Sequence, residues 1–240
     1  WSSDVCSSDL NPTGFDYWEI LPGQGSYYNP DLIQMDNKRK RYEGYCTDII
    51  TDRALDWLKN QRDDNKPFVL MCQHKAPHRN WCPAPRHLNL FDDIVMPEPK
   101  TLFDSYGGNR SKTLKEHEMG IKDHMFWGWD MKFHGKDSMF PEHFVSGLAN
   151  REYQRMNESQ KEQWDKAYEP KNQKLIADIQ SGKIKGKDIT KWKYQRYIKD
   201  YLRTIKAVDE NVGRLLKYLD DSGLAENTIV IYSSDQGFYL

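Results

Sequence analysis

The stretch "YLRTIKAVDENVGRLLKYLDDSGLAENTIVIYSSDQGFYL" (201–240) combines an amphipathic helix with a strand that follows it at once. The helix begins near Tyr194, just before the quoted stretch. Its apolar residues recur at steps of one, three or four, which indicates one apolar face over about seven turns. Gly223 is placed to end the helix, because glycine readily adopts the left-handed backbone found after helix ends. The run "TIVIYSS" (228–234) then predicts a buried strand, and Asp235 opens the loop that follows.

A second helix and strand repeat this pattern nearer the N-terminus. "YCTDIITDRALDWLKNQ" (45–61) has apolar residues at helical spacing, and Thr47 is a plausible N-cap. "PFVLMCQ" (67–73) is a nearly continuous apolar run, typical of a strand buried on both faces of a parallel sheet. These elements predict an α/β protein with crossover helices, whose ligands bind at the loops leaving the carboxyl ends of the strands. The two such loops are residues 74–82 and 235–240.

The charges of the 240-residue chain nearly cancel. Its 35 Lys and Arg stand against 36 Asp and Glu, so the net charge gives no argument for a nucleic-acid partner. No apolar run approaches the ~20 residues that span a bilayer. The cysteines follow no disulfide-scaffold spacing and leave the redox compartment open. They are Cys6, Cys46, Cys72 and Cys82.

Three further segments of the chain each carry a prediction of their own. The first, "WSSDVCSSDL" (1–10), repeats Ser-Ser-Asp and is similar to a translated adaptor sequence, so we expect it to be non-native, with a short disordered leader as the alternative. Residues 92–145 form a long irregular stretch, which is typical of a functional loop or an insertion. Asn157, followed three residues later by Gln160, forms a capping box and predicts the start of a further helix.

The first of the two strand-end loops carries His74 and His78. Pro77 between them argues against a helical pair of zinc ligands. Cys72 and Cys82 flank the pair and could complete a Cys2His2 zinc site, although the spacing matches no common zinc framework. The alternative for each histidine is an ordinary surface group.

The second loop offers a carboxylate, Asp235, beside an amide oxygen, Gln236. Both are hard oxygen donors that suit calcium or magnesium. The alternative is an ordinary turn after a strand, since Asp and Gly are common turn residues.

Two further groups of residues allow a functional and a structural interpretation. The histidines of the irregular stretch lie among carboxylates and could bind a metal, but surface histidines are the preferred interpretation. They are His117, His124 and His134. Between Lys183 and Lys206 most of the nine basic residues are expected on the solvated face of the long helix. A patch that binds an anionic substrate is the alternative.

Together, "FVLMCQHKAPHRNW" (68–81) and residues 201–240 resemble the type I, formylglycine-dependent sulfatases of the alkaline phosphatase superfamily. The resemblance extends over essentially residues 11–240. "FDYWEILPGQGSYYNP" (15–30) and the insertion are most similar to the N-acetylglucosamine-6-sulfatase branch. The implied fold is an alkaline phosphatase-like sandwich, here incomplete, with a mixed sheet flanked by helices.

The resemblance also implies a chemistry, the hydrolysis of sulfate esters of glycans of the 6-O-sulfated N-acetylglucosamine type. A formylglycine attacks sulfur, a calcium ion neutralises the sulfate oxygens, and a histidine protonates the leaving alcohol. The motif "HKAPH" places this histidine at His78, whereas Lys75 in the same motif receives no role. The motif "SSDQG" places two calcium ligands at Asp235 and Gln236, where many relatives have Asn or His in the second place.

The chain departs from the family pattern at the nucleophile. "CPAPR" (82–86) has Ala84 where the motif Cys-x-Pro-x-Arg requires proline, so Cys82 is not expected to become formylglycine. The formylglycine is expected upstream of the chain, and the calcium site needs an Asp pair that this sequence does not contain. We therefore expect residues 11–240 to be the central part of one sulfatase catalytic domain, truncated at both ends, and the chain alone to be inactive.

Two other functions stay open. The first is hydrolysis of phosphate or phosphonate esters within the same superfamily, and the second is a non-catalytic glycan-binding module, which 13% aromatic residues and a basic segment would allow. The expected partner is a sulfated carbohydrate, with no nucleic acid and no membrane. The full-length protein is expected to be periplasmic or secreted.

Overall fold

The computed structural model describes residues 11–108, 112–114, 116–117, 120–133 and 151–234. The chain divides into two compact units: a first unit that runs to His78 and resumes at Thr204, and a second unit, Arg79–Arg203. The strands are β1 Glu19–Ile20, β2 Asp31–Gln34 and β3 Arg39–Arg41. The helices are α1 Cys46–Asn60, α2 Ile121–His124, α3 Arg151–Arg155, α4 Glu158–Gln180 and α5 Lys187–Asp221. Single 3-10 turns occur at Pro85–His87, Lys112–Leu114 and Ala225–Asn227.

The sheet of the first unit is a small antiparallel one with the strand order β1-β2-β3. Glu19 lies opposite Gln34, and Asp31 lies opposite Arg41. Arg41 also donates from Nε to the Asp31 carboxylate at 2.9 Å, which supports this register across the strand pair. With the helices, this sheet makes the described chain a mixed α/β structure, as the sequence predicts.

Helix α1 begins two residues earlier than the predicted cap at Thr47 implies. Tyr45 is the N-cap residue, with extended backbone, and Thr47 is fully buried inside the first turn instead. The apolar face of the helix buries Ile49, Leu55 and Leu58, which the helical spacing predicts.

The predicted long helix is confirmed as α5, which ends at Asp221. Gly223 follows with φ +71°, the left-handed backbone that glycine adopts at little cost. From Thr204 onward α5 contacts α1 in the first unit. Asn211 donates from Nδ2 to the Asp48 carboxylate at 2.7 Å, so polar contacts link this helix pair.

The second unit is built around aromatic residues of α4 and of the first half of α5. The capping box of α4 is present as predicted, with the Asn157 side chain accepting from the Gln160 amide at 2.8 Å. Trp164 and Tyr168 of α4 are buried. Trp81 packs edge-on against Tyr197 of α5, with ring centroids 4.8 Å apart. The core of this unit therefore joins the loop after His78 to the long helix.

The two apolar runs do not form strands in the described part of the chain. Residues 67–73 and 228–234 are assigned no strand there. Val69 is 83% exposed and Ile229 is 89% exposed. The prediction that these runs are buried is therefore wrong for this structure, because no described strand pairs with them or covers them. No helix within the described ranges combines the length and apolarity needed to cross a membrane.

Candidate functional site

The predicted leaving-group residue, His78, lies on a tight turn of the first unit. Its amide donates to the carbonyl of Lys75 at 3.0 Å, which closes the turn. Its own carbonyl accepts a hydrogen bond of 2.5 Å from the hydroxyl of Tyr27. Because His78 is exposed while Tyr27 is 0% exposed, a buried side chain fixes the main chain of a residue that faces solvent.

Tyr27 is itself tied to the start of α1. Its carbonyl accepts from the amide of Cys46, the first residue of that helix, at 2.8 Å. Its ring stacks on Tyr45, with centroids 6.0 Å apart and an interplanar angle of 24°. The first amides of a helix have no partner within the helix, so the Tyr27 carbonyl satisfies one of them and anchors the segment.

Lys75 contacts the same segment from the other end of the turn. Its ammonium group donates to the carbonyl of Gln24 at 2.8 Å. It also lies 4.7 Å from the centroid of the Tyr27 ring, within the range of a cation–π interaction. Lys75 and His78 therefore both contact the Gln24–Tyr27 segment.

His74 points into the protein. Its Nε2 lies 2.9 Å from Oγ1 of the buried Thr51 and 3.9 Å from the sulfur of Cys72. Burial lowers the pKa of His74 to about 4, although the charge of Asp48 acts in the opposite direction. Burial also raises the pKa of Cys72 to about 11, so both groups are neutral near pH 7.

The zinc alternative finds no support in this geometry. Among the residues that the structure describes, no three His, Cys, Asp or Glu side chains form a metal-binding group. The protonated thiol of Cys72 instead lies beside the neutral His74, whose Nε2 is within hydrogen-bond distance of Thr51 on α1.

The second unit contains an ion pair that the sequence did not indicate. Arg79 donates from Nε to Oδ1 of Asp130 at 2.8 Å, and Asp130 is fully buried. Oδ2 of Asp130 also accepts from the amide of Phe126 at 2.7 Å. The Arg79 guanidinium lies over the ring of Trp129, 4.8 Å from its centroid. The residue after His78 is thus fixed by a residue of the aromatic insertion.

A buried lysine completes this link within the second unit. Lys132 is 1% exposed and donates to the carbonyls of Asn80 and Trp129. Cys82 is also buried, and its sulfur lies 3.6 Å from Oδ1 of Asn80. Cys82 thus belongs to the packing of this loop.

Three basic residues of α5 are exceptions to the predicted solvated face. Lys193, Arg196 and Arg203 are all buried. They donate to the carbonyls of Met125 at 2.8 Å, Met131 at 3.0 Å and Leu90 at 2.7 Å. These cations hold loops of the second unit to the helix, which a solvated face or a substrate patch would not do.

The remaining predicted site residues divide into two groups. Asp235, Gln236 and His134 lie outside the described residues. The rings of His117 and His124 lie 6.0 Å apart, and Nδ1 of His124 accepts from the Gly120 amide at 3.2 Å. The metal assignment at Asp235 and Gln236 stays a prediction.

The sequence is similar to known sulfatases. The family model "Sulfatase" matches residues 176–240. The N-acetylglucosamine-6-O-sulfatase of Bacteroides thetaiotaomicron is 47% identical over 232 residues, which are 95% of this chain and 40% of that protein. The N-acetylglucosamine-6-sulfatase of Homo sapiens is 22% identical over 95% of this chain and 30% of its own length.

A solved structure shows the same similarity in three dimensions. It is a protein in complex with its substrate, D-glucosamine-2-N,6-O-disulfate. The TM-score is 0.78 and the sequence identity is 45%, over 90% of this chain and 42% of the other. The chain thus spans less than half of the length of the relatives that it matches.

Proposed function

We propose, since this chain belongs to the sulfatase family, that the complete protein hydrolyses sulfate esters of carbohydrates. The observation that carries the proposal is 47% identity to an N-acetylglucosamine-6-O-sulfatase over 95% of the chain. The predicted family and the α/β fold class are confirmed by this similarity and by the solved neighbour. The substrate class that fits best is a glucosamine derivative with a 6-O-sulfate, because relatives at both high and low identity are sulfatases of that type.

His78 is the residue of the described chain that we assign to the chemistry. An imidazole that changes charge near neutral pH can donate a proton to an alkoxide as it leaves the sulfur. His78 is exposed, on a turn whose main chain is fixed by hydrogen bonds at Lys75 and Tyr27. Such a side chain can reach a bound ester while its backbone stays in one place.

The calcium ion implied by the family would be held in part by Asp235 and Gln236. Their donor set, one carboxylate and one amide oxygen, fits a hard cation. When bound, the ion would neutralise the negative charge of the sulfate oxygens.

The 240-residue chain alone is expected to be inactive, because it contains no Cys-x-Pro-x-Arg motif for a formylglycine. For the full-length protein we propose a periplasmic or secreted location, which the similarity to a putative extracellular sulfatase of Caenorhabditis elegans supports.

The test is the release of sulfate from N-acetylglucosamine 6-sulfate by the complete, formylglycine-containing protein and by its His78→Gln variant. A sugar alkoxide is a poor leaving group and needs the proton, whereas a 4-nitrophenolate is a good one and does not. We therefore expect kcat on the sugar sulfate to fall by roughly 10²- to 10⁴-fold, the usual contribution of a general acid. The loss of kcat on 4-nitrophenyl sulfate should be much smaller.

His117→Gln is the control, since it makes the same substitution at a histidine of the second unit, whereas His78 belongs to the first. It should retain activity on both substrates, and the 240-residue chain serves as the inactive comparison. Equal losses on the two substrates in His78→Gln would contradict the leaving-group role. A complete wild-type protein that releases no sulfate from either ester would contradict the proposed function itself.

A further inference from the structure

We propose that Tyr27 and Lys75 are positioning residues that hold the His78 turn in its working place. This inference rests on the proposed role of His78 as the proton donor. It assigns a function to Lys75 and to the segment Gln24–Tyr27, neither of which the sequence could connect with the chemistry.

Tyr27 links two parts of the first unit through its two polar ends. Its carbonyl accepts from the first amide of α1, at Cys46, over 2.8 Å. Its hydroxyl, at the far end of the ring, donates to the carbonyl of His78 over 2.5 Å. The ring between them is 0% exposed and stacks on Tyr45. A rigid side chain thus spans the distance between the helix start and the turn.

Lys75 also contacts the segment that contains Tyr27. Its ammonium group reaches the carbonyl of Gln24 at 2.8 Å while it lies over the Tyr27 ring. The Gln24 carbonyl belongs to a turn in which the amide of Gly25 donates to Pro22 at 3.1 Å. Gly25 has φ +64°, and a Cβ there would lie 2.9 Å from a methyl carbon of Leu21. Only glycine fits that position without strain, so the turn that presents the Gln24 carbonyl requires Gly25.

The contact from Tyr27 acts on the main chain of His78, so it fixes the position of this residue. The hydroxyl of Tyr27 touches the carbonyl of His78 and leaves its imidazole exposed. The location of an exposed side chain follows from that of its own main chain, and a misplacement of ~1 Å can cost a reaction roughly 100-fold in rate. Without the hydrogen bond from Tyr27, the imidazole of His78 would occupy a wider range of positions.

The experiment uses the complete protein, with Tyr27→Phe and Lys75→Met made singly and together. Tyr27→Phe keeps the buried ring and removes only the hydroxyl. We expect kcat on N-acetylglucosamine 6-sulfate to fall roughly 10-fold, part of the full cost of misplacement. Activity on 4-nitrophenyl sulfate should stay within about 2-fold, because that leaving group does not depend on the proton. The double variant should lose less than the product of the single losses, since both contacts hold one turn.

Tyr42→Phe is the matched control. Its hydroxyl hydrogen-bonds to Glu19 in the same unit, at 3.2 Å, so it removes a comparable contact away from the turn. It should show the same small loss of thermal stability as Tyr27→Phe and no selectivity between the two substrates. A merely structural role would make the two variants alike in both assays.

The outcomes separate this inference from the proposed function. If His78→Gln loses activity selectively on the sugar sulfate and Tyr27→Phe does not, the positioning role is wrong while the role of His78 stands. If His78→Gln shows no such selectivity, the proposed proton donor is wrong and the positioning role fails with it. Should Tyr27→Phe be unstable, Lys75→Met alone carries the same test, because Lys75 lies at the protein surface.

Discussion

The buried imidazole of His74 makes the stability of the protein depend on pH in a predictable direction. Burial lowers its pKa from 6.5 to about 4, so the folded protein keeps this histidine neutral where an unfolded chain would bind a proton. The neutral form therefore contributes stability that is fully present above pH 6.5. That contribution is lost as the pH falls from 6.5 towards the folded pKa of about 4.

The size of the effect follows from the two pKa values. At about 1.4 kcal/mol for each pKa unit, the difference between 6.5 and about 4 corresponds to roughly 3.5 kcal/mol. At pH 5 the unfolded histidine is almost fully protonated and the folded one is almost fully neutral. Between pH 7.5 and pH 5 we therefore expect His74 to lower the free energy of unfolding by about 2 kcal/mol.

His74→Gln removes the titrating group and keeps an amide that can pair with Thr51. In urea unfolding at the two pH values, this variant should lose about 2 kcal/mol less between pH 7.5 and pH 5 than the wild type. Hydrogen exchange of the α1 amides localises the change to the unit that contains His74. An equal pH dependence in the variant and the wild type would refute the assignment of a buried, neutral imidazole.

Thr51→Val is the control that separates burial from hydrogen bonding. It removes the partner at 2.9 Å but leaves the imidazole buried. We expect it to lose about 1 kcal/mol at both pH values, the usual worth of one hydrogen bond, and to keep the pH dependence of the wild type.

Two further predictions concern the ion pair of the second unit and the calcium ligand. Asp130→Ala leaves the Arg79 guanidinium without its buried carboxylate and should cost about 3–5 kcal/mol in urea unfolding. Asp36→Ala, which removes an exposed carboxylate beside Lys38, should leave the unfolding curve unchanged, and equal effects of the two variants would contradict the buried pair. Asp235→Ala in the complete protein should lower sulfate release by roughly 100-fold, as should a calcium chelator with the wild type. Added calcium should restore the chelated wild type and not the variant, and full activity in the chelator would exclude the metal site.

The helices could be predicted because their signals are local. The apolar spacing of α5 and Gly223 after it are read within one stretch of sequence, and the structure confirms both. The capping box at Asn157 depends on residues only three positions apart and is also present. The N-cap of α1 could not be predicted because Tyr45 makes no side-chain cap bond, and Asp48 in the first turn does not mark which residue is the cap.

The buried cations could not be predicted, because their partners are distant in sequence. Arg79 and Asp130 are 51 positions apart, and Arg203 donates to a carbonyl 113 positions away. Basic residues on a helix are usually exposed to solvent. Only the fold shows that main-chain carbonyls of loops surround these side chains. The sequence signal that existed was weak: Asp130 and Lys132 are isolated charges within an aromatic stretch.

The two apolar runs predict strands, and one of these predicted strands leads to the loop that carries His78. Their composition indicates segments that favour burial in a sheet. Within the described residues neither run forms a strand, and Val69 and Ile229 face solvent. An apolar segment tends to be buried, but its own sequence does not show which other elements bury it. What fixes the His78 turn in this structure is instead the hydroxyl of Tyr27, whose own main chain is tied to the first amide of α1. The position of the proposed proton donor therefore depends on a tyrosine 51 residues earlier. For this reason the substitution of that tyrosine tests the site more sharply than any change in the apolar run.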